Sequence, residues 1–241
     1  MDIVDALEAR EGTTCVVGAG GKKTTLYALA DRLDRAVVTA TVRIPIFDRH
    51  VEEVYVTDDP VAAIESADAF PIGVVPERER QDRYRGYDPA VVDEIGAAHD
   101  GPVLVKADGA RTREFKAPDD DEPQLPASAD TVVPIASAHV VGKPLTEEYV
   151  HRPEEVAALT GMDLGETVTE KTVATVLASP AAGLKDVPSV ATAIPLINKV
   201  DDADLLATAR RIGVGVKHRA NVPRVVLARM TAAEPLVTTV D

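Results

Sequence analysis

The sequence contains little of several residue types, and each shortage excludes a class of protein. It has one cysteine, Cys15, so an internal disulfide is excluded and core packing is the simplest role for that thiol. Lysines and arginines number 26 against 40 aspartates and glutamates, and no apolar run reaches the about 20 residues of a membrane-spanning helix. Because no signal peptide is recognisable either, we expect a cytoplasmic protein that does not enter membranes.

The formal net charge of −14 at pH 7 restricts the surfaces that the protein can bind. Nucleic acids and anionic membranes are negatively charged and repel such a chain, so we expect neither as a partner. Aromatic residues make up only 3% of the sequence. This acidic, aromatic-poor composition resembles that of proteins from salt-loving archaea, where high salt screens the repulsion between acidic groups.

A phosphate-binding turn is predicted in Thr13–Tyr27, TTCVVGAGGKKTTLY. Small and β-branched residues predict a buried strand, three glycines follow, and a helix with one apolar stripe is predicted to begin at about Lys22 to Thr24. Such a helix N terminus carries unpaired amides and a positive dipole end that favour an anion. The residues predicted to bind phosphate are Gly18, Ala19, Gly20, Gly21, Lys22, Lys23, Thr24 and Thr25.

Two lysine registers fit the P-loop pattern G-x-x-x-x-G-K-[ST], and both fit imperfectly. If Lys23 contacts the β- and γ-phosphates, Thr24 is the Mg²⁺ ligand, but Lys22 occupies a glycine position. If Lys22 is the phosphate lysine, Gly21 precedes it correctly, but Lys23 stands where the hydroxyl should be. A glycine-rich turn without a ligand is the alternative to both. Two lysines at one helix N terminus argue against it, because cations are unfavourable there unless an anion compensates.

A second candidate lies where the apolar strand that begins at Pro102 ends, at Asp108 and Gly109. In P-loop proteins a carboxylate at the end of a neighbouring strand holds Mg²⁺ directly or through water. We therefore predict Mg²⁺ bound together with GTP or ATP by Thr24 and Asp108, and we predict catalytic roles for Lys22 and Asp108. An ordinary Asp-Gly turn is the alternative.

Strand and helix patterns alternate along the 241 residues, which predicts a P-loop NTPase-like three-layer α/β fold with a mainly parallel central sheet. We expect a single domain spanning residues 1–241. The charged segment 77–87 has no clear periodicity and is predicted to be an exposed loop.

Further basic side chains are predicted to contact an anionic ligand. Arg111 follows Asp108 on the same loop, together with Arg113 and Lys116, while His151 and Arg152 precede Pro153, which is set to open a helix. A solvated basic loop is the alternative for the residues that follow Asp108, and a local capping role is the alternative for His151 and Arg152.

A base-binding motif is predicted in residues 193–201, AIPLINKVD, where a buried strand ends in Asn-Lys-x-Asp. In GTP-binding P-loop proteins the aspartate accepts hydrogen bonds from guanine, and the lysine stem packs along the base. We therefore assign base binding to Asn198, Lys199 and Asp201. Four residues match often by chance, so the position after a strand carries much of this interpretation.

Several short motifs together resemble the YqeC-like family, whose members are described as accessory proteins of selenium-dependent molybdenum hydroxylases. The motifs are GAGGK at 18–22, VLVKADGAR at 103–111, KAP at 116–118, EP at 122–123, VHRPE at 150–154 and NKVD at 198–201. The resemblance implies a P-loop fold and a role in maturation of the molybdenum cofactor, and it favours Lys22 as the phosphate lysine. This chain departs from the family at Lys23, where a hydroxyl is usual, and at Lys106, where an acid is usual. Both departures fall where Mg²⁺ would bind.

Three functions are compatible with these residues. The first is a nucleotide-binding accessory protein, and NTPase, for a molybdenum hydroxylase or its molybdopterin cofactor. The second is a chaperone that binds a phosphorylated, molybdopterin-type cofactor without hydrolysis. The third is a nucleotidyl or phosphoryl transferase acting on a small molecule.

Overall fold

The computed structural model describes residues 1–241, which form fourteen strands and seven α-helices numbered here in chain order. The strands are β1 Thr13–Gly18, β2 Val37–Ala40, β3 Ile44–Pro45, β4 Glu53–Val56, β5 Ile72–Val75, β6 Arg83–Tyr84, β7 Val103–Lys106, β8 Phe115–Lys116, β9 Thr131–Ser137, β10 Val150–His151, β11 Thr192–Ala193, β12 Leu196–Asn198, β13 Val225–Ala228 and β14 Leu236–Val240. The helices are α1 Ile3–Ala6, α2 Lys22–Ala30, α3 Pro60–Glu65, α4 Pro89–Ala98, α5 Pro153–Thr160, α6 Glu170–Leu177 and α7 Ala203–Lys217.

One ten-stranded sheet runs through the molecule in the order β14-β13-β12-β9-β1-β7-β2-β5-β4, with β11 pairing beside β9. All neighbours in it are parallel except β14, which runs antiparallel to β13. The strand β1 lies between β7 and β9 near the middle of the sheet. The predicted α/β class with a mainly parallel central sheet is therefore confirmed.

Helices cover both faces of this sheet, because successive side chains of a buried strand point to opposite sides. On one face α1 packs through Ile3 and α2 through Leu26 and Leu29, in one core with sheet residues such as Val16 and Leu104. On the other face α3 and α4 cover one half, and α5, α6 and α7 cover the other. The apolar stripe predicted for α2 is buried along its whole length.

The segment 77–87 corrects one prediction, because it is not entirely loop. It contains β6, which pairs antiparallel with β3 and forms a small separate ribbon. Tyr84 in β6 is buried against Phe47, with ring centroids 5.5 Å apart in an edge-to-face arrangement, and its hydroxyl donates to Asp48 at 2.8 Å. The segment's two buried aromatic residues, Tyr84 and Tyr87, stand among charged neighbours without a periodic pattern, so the sequence did not predict the ribbon.

None of the seven helices combines the length and the apolar composition needed to cross a membrane.

Candidate functional site

The candidate site lies at the carboxyl edge of the sheet, where four neighbouring parallel strands end. The strand β1 runs into the glycine turn at Gly18, β7 is followed by Asp108, β9 ends at Ser137 and β12 ends at Asn198. Ligands of open parallel sheets bind in the crevice outside this edge. The fold thus brings together the two motifs that the sequence placed 180 residues apart.

The glycine turn adopts backbone angles, and approaches a neighbouring strand so closely, that residues with a side chain would not fit there. Gly18, Gly20 and Gly21 have φ of +87°, +95° and +138°. A Cβ on Gly20 would lie 2.6 Å from the amide nitrogen of Ser137, so the turn can pack against the end of β9 only with glycine there. Hydrogen bonds from the amide of Ala19 to Ile135 and from that of Gly20 to Arg113 hold the turn in place.

The helix α2 begins directly after this turn, at Lys22, with Gly21 as its N-cap. Gly21 provides no side-chain cap, and the first-turn amides of an α-helix have no intrahelical acceptor. The N terminus of α2 therefore presents unpaired amides at the carboxyl edge of the sheet. Thr25 does not face this opening freely, because it is buried and its hydroxyl donates to the Gly21 carbonyl at 3.1 Å.

Lys22 and Lys23 have different environments. The side chain of Lys22 is 5% exposed, and its ammonium donates to the Gly18 carbonyl and lies 2.6 Å from Oδ1 of Asp108. The contact with Oδ1 is an ion pair without hydrogen-bond alignment. Burial lowers the pKa of Lys22, and the charge of Asp108 opposes that shift. Lys23 is partly exposed and makes neither a hydrogen bond nor a salt bridge.

Asp108 is the centre of a buried ionic cluster. Its Oδ2 accepts from the amide of Gly18 at 2.7 Å and lies 3.0 Å from Nζ of Lys116. Lys116 also lies 2.5 Å from Glu122, whose other oxygen accepts from the amide of Gly109 at 2.8 Å. These contacts fix the carboxylate beside the first residue of the glycine turn.

Lys106 adds a third ammonium group to the cluster. It is 7% exposed, and its Nζ donates to the backbone carbonyls of Asp108 at 2.6 Å and Arg43 at 2.8 Å, with no carboxylate partner. Burial, with a further contribution from the charge of Lys22, lowers the pKa of Lys106 to about 7. A buried ammonium without a counter-ion is costly, so this lysine calls for an explanation beyond packing.

The residues around Asp108 fit a divalent cation poorly. Mg²⁺ in proteins is bound by hard oxygen ligands. Both oxygens of Asp108 already face ammonium groups or an amide, and no three histidine, cysteine, aspartate or glutamate side chains converge on a possible metal position. Mg²⁺ coordination by Thr24 and Asp108 therefore stays a prediction from the sequence.

Three basic residues predicted as ligands outside the cluster differ in whether their side chains already have ion-pair or hydrogen-bond partners. Arg152 pairs with Asp119 and, at 2.7 Å, with Glu122, so its guanidinium already has acceptors. His151 is half-buried without a hydrogen-bond partner, and burial together with the charges of Arg152 and Lys116 lowers its pKa to about 4. Its imidazole is therefore neutral at physiological pH. Arg111 is exposed and unpaired.

The Asn-Lys-x-Asp motif lies on the other side of the glycine turn. The amide group of Asn198 donates to the Gly20 carbonyl at 2.8 Å and accepts from the amide of Met230 at 3.0 Å. Asn198 thus connects the turn to the segment after β13, while Lys199 and Asp201 follow it at the edge.

Both of these following residues have ionic partners. Lys199 lies 2.6 Å from Glu114, and Asp201 lies 2.8 Å from Nε2 of His139. Both pairs are partly exposed, so an incoming ligand can compete for them.

Several residues of the site escaped prediction from the sequence. Glu114, Glu122 and His139 were not assigned to the site, and Lys106 was noted only as a departure from the family pattern. The Glu-Pro motif at 122–123 was an available signal for Glu122. No local signal marks His139, because its contact with Asp201 depends on the neighbouring positions of β9 and β12.

The fold and the site place this chain among three-layer α/β proteins with a glycine-rich strand-to-helix turn at the carboxyl end of a central strand. It belongs to the YqeC family: the family model described as YqeC protein matches residues 14–154. The chain is also 28% identical over 205 residues to the uncharacterized protein YqeC of Escherichia coli (strain K12), covering 82% of this chain and 79% of that protein. No solved structure matches the chain.

Proposed function

We propose that this protein binds a nucleotide at the carboxyl edge of its sheet and acts as an accessory protein in maturation of a molybdenum hydroxylase or its molybdopterin cofactor. The observation that carries the proposal is the glycine turn leading into α2, with the ammonium of Lys22 folded back onto the Gly18 carbonyl. Unpaired amides, a helix dipole and a cation then converge on one place, which is the arrangement that favours phosphate.

The proposed binding position of the nucleotide base rests on the contacts of Asn198. Its two hydrogen bonds hold the glycine turn and the segment after β13 at a fixed spacing, with Lys199 and Asp201 beside them. A nucleotide with phosphates at α2 would extend its base toward these side chains. Asp201 would then exchange His139 for the donors of a guanine ring, whereas adenine presents no such pair of donors.

The proposed molybdenum role rests on family membership and on the motifs named above. The partner proposed on the same grounds is a molybdenum hydroxylase or its cofactor. In this proposal Lys22 contacts the phosphates, and Asp108 positions Lys22 through their ion pair. NTP hydrolysis belongs to the proposal as a separate step, since binding does not require it.

The test is a binding panel on the purified full chain by calorimetry at high and low salt. GTP, ATP, pyrophosphate and a molybdopterin nucleotide are the ligands, and phosphate release is measured for the two triphosphates. Binding of GTP or ATP supports the proposal. Absence of binding for every nucleotide under both salt conditions contradicts it.

A second candidate is a carrier that binds a phosphorylated, molybdopterin-type cofactor without hydrolysis. The observation that favours it is the pairing of Asp108 with Lys22 and Lys116, which leaves this carboxylate no free oxygen to position water. His151, neutral and unpaired, and the exposed Arg111 are then available to the rest of the cofactor. Tight binding of the molybdopterin nucleotide together with no phosphate release from GTP or ATP would select this candidate.

A further inference from the structure

We propose that the phosphate ligand binds this site without a divalent cation, because Lys22, Lys23 and Lys106 supply the positive charge that Mg²⁺ would otherwise supply. The inference rests on the nucleotide binding proposed above. It concerns how the charge of the phosphates is balanced, and it assigns ligand-binding roles to Lys106 and Lys23.

The first argument is the charge of the buried cluster. Three ammonium groups and two carboxylates form the cluster, namely Lys22, Lys106 and Lys116 with Asp108 and Glu122, while Arg152 beside Glu122 is balanced by its own pair with Asp119. Every carboxylate oxygen that points into the cluster already has an ammonium or an amide beside it. With all three lysines protonated, the cluster carries one positive charge more than its carboxylates balance, and because burial lowers the pKa of Lys106 to about 7, a bound anion would favour that protonated form.

The second argument is the position of Lys106. Its ammonium is held only by two carbonyl oxygens, which leaves it a third donor and no counter-charge. The Lys106 ammonium contacts the backbone carbonyl of Asp108, so it occupies the place where a metal-binding carboxylate would be needed. A lysine there repels a divalent cation and attracts a phosphate oxygen.

The third argument is Lys23. It follows Lys22 in the first turn of α2, it has no partner, and a cation at a helix N terminus is unfavourable unless an anion is present. Lys23 adds a further positive charge at this helix N terminus, so that with Lys106 protonated the surplus over the two carboxylates is two charges. One Mg²⁺ ion brings the same charge.

The experiment measures binding of GTP, ATP and pyrophosphate to the full chain by calorimetry, at matched ionic strength, with EDTA or with excess Mg²⁺. We expect dissociation constants that agree within about threefold between the two conditions. A loss of about tenfold or more in EDTA would overturn the inference while leaving nucleotide binding intact. If no ligand binds in either condition, the proposed function and this inference fail together.

Variants test the roles of the two lysines. Lys106→Met and Lys23→Met should each weaken metal-free binding by roughly tenfold, whereas Lys171→Met, the same change at an exposed lysine of α6, should not. Lys106→Glu should weaken metal-free binding further and make it respond to Mg²⁺. Because Lys106 is buried, thermal unfolding of each variant is recorded first, and Lys23, which is partly exposed and has no partner, provides a variant whose folding is less at risk. Unchanged affinity in both Lys23→Met and Lys106→Met contradicts the inference.

Discussion

The ammonium of Lys22 lies 2.6 Å from Oδ1 of Asp108, and both side chains are buried where β1 and β7 end. The lysine thus neutralises a carboxylate of its own chain. A phosphate bound at α2 would compete with Asp108 for this ammonium, and Lys116 would remain to balance Asp108.

The two lysines of the turn can be separated by mutation. We expect Lys22→Ala to weaken triphosphate binding by roughly tenfold to hundredfold, and to weaken it more than Lys23→Ala does, because only Lys22 is folded back over the turn. Calorimetric titration of both variants measures the difference. An equal or larger loss for Lys23→Ala would support the other register, with Thr24 as the adjacent hydroxyl.

Asp201 should determine the base. We expect the wild-type protein to prefer GTP over ATP, and Asp201→Asn to lose on the order of 2 to 4 kcal/mol of GTP binding and to shift preference toward XTP. The reason is that a carboxylate accepts two hydrogen bonds from guanine, whereas an amide matches the carbonyl of xanthine. Competition among GTP, ATP and XTP provides the measurement, and His139→Ala is the control because it removes the present partner of Asp201. An unchanged ranking in Asp201→Asn would mean that the tetrapeptide match is chance.

The packing of the turn can be tested apart from its conformation. Gly20→Ala should destabilise the fold, because the added Cβ would meet the backbone of Ser137 at 2.6 Å and the φ of +95° disfavours alanine. Gly142→Ala is a matched control, since Gly142 has φ of +84° but no atom within 4 Å of an added Cβ. Denaturant unfolding of both variants should show a larger loss for Gly20→Ala. Equal losses would mean that the backbone angle alone decides.

Glu122 should make stability depend on pH in the acid range. Burial raises the pKa of this carboxyl, but the charge and hydrogen bond of Lys116 and the donors of Gly109 and Arg152 outweigh burial and lower it to about 2. The folded state thus holds the proton more weakly than the unfolded state. The stabilisation by Glu122 is complete above about pH 4.5 and is lost as the pH falls toward 2.

The matching measurement compares the wild type with Glu122→Gln in urea unfolding between neutral and acid pH. The free-energy difference between the two should be largest near neutral pH and should shrink below about pH 4.5. Glu94→Gln, at an exposed glutamate of α4 without partners, is the control and should show no such trend. A difference that stays constant with pH would contradict the role assigned to the Lys116 and Arg152 contacts.

The sequence predicted those features of the site that depend on residues close together in the chain, namely the glycine turn, the start of α2 and the position of Asp108. Glycines at 18, 20 and 21 after a β-branched run predicted the turn, since only glycine readily adopts such backbone angles, and the helix predicted to begin at about Lys22 to Thr24 begins at Lys22. Asp108 was correctly placed at the end of a strand next to β1. These features depend on residues close together in the sequence.

The ionic contacts could not be predicted, because most of them join side chains from separate helices, strands and loops. Lys106 looks in sequence like any charged residue ending a strand, and only the fold shows that it has carbonyls and no carboxylate as neighbours. The strand β14 was missed for a related reason, since its five residues Leu236–Val240 gain their role by pairing with β13. Both features depend on contacts that only the folded chain shows.

Through the hydrogen bonds of Asn198, the carboxyl-terminal part of the chain holds the glycine turn in position. The family match ends at residue 154, yet the Gly20 carbonyl is held by a side chain from β12, which is itself tied to Met230. A fragment ending at residue 154 would keep the glycines, Lys22 and Asp108, but it would lose this anchor and the strand beside β9. The glycine turn is thus not a portable module, because one of its carbonyls is held by a side chain 178 positions further along the chain.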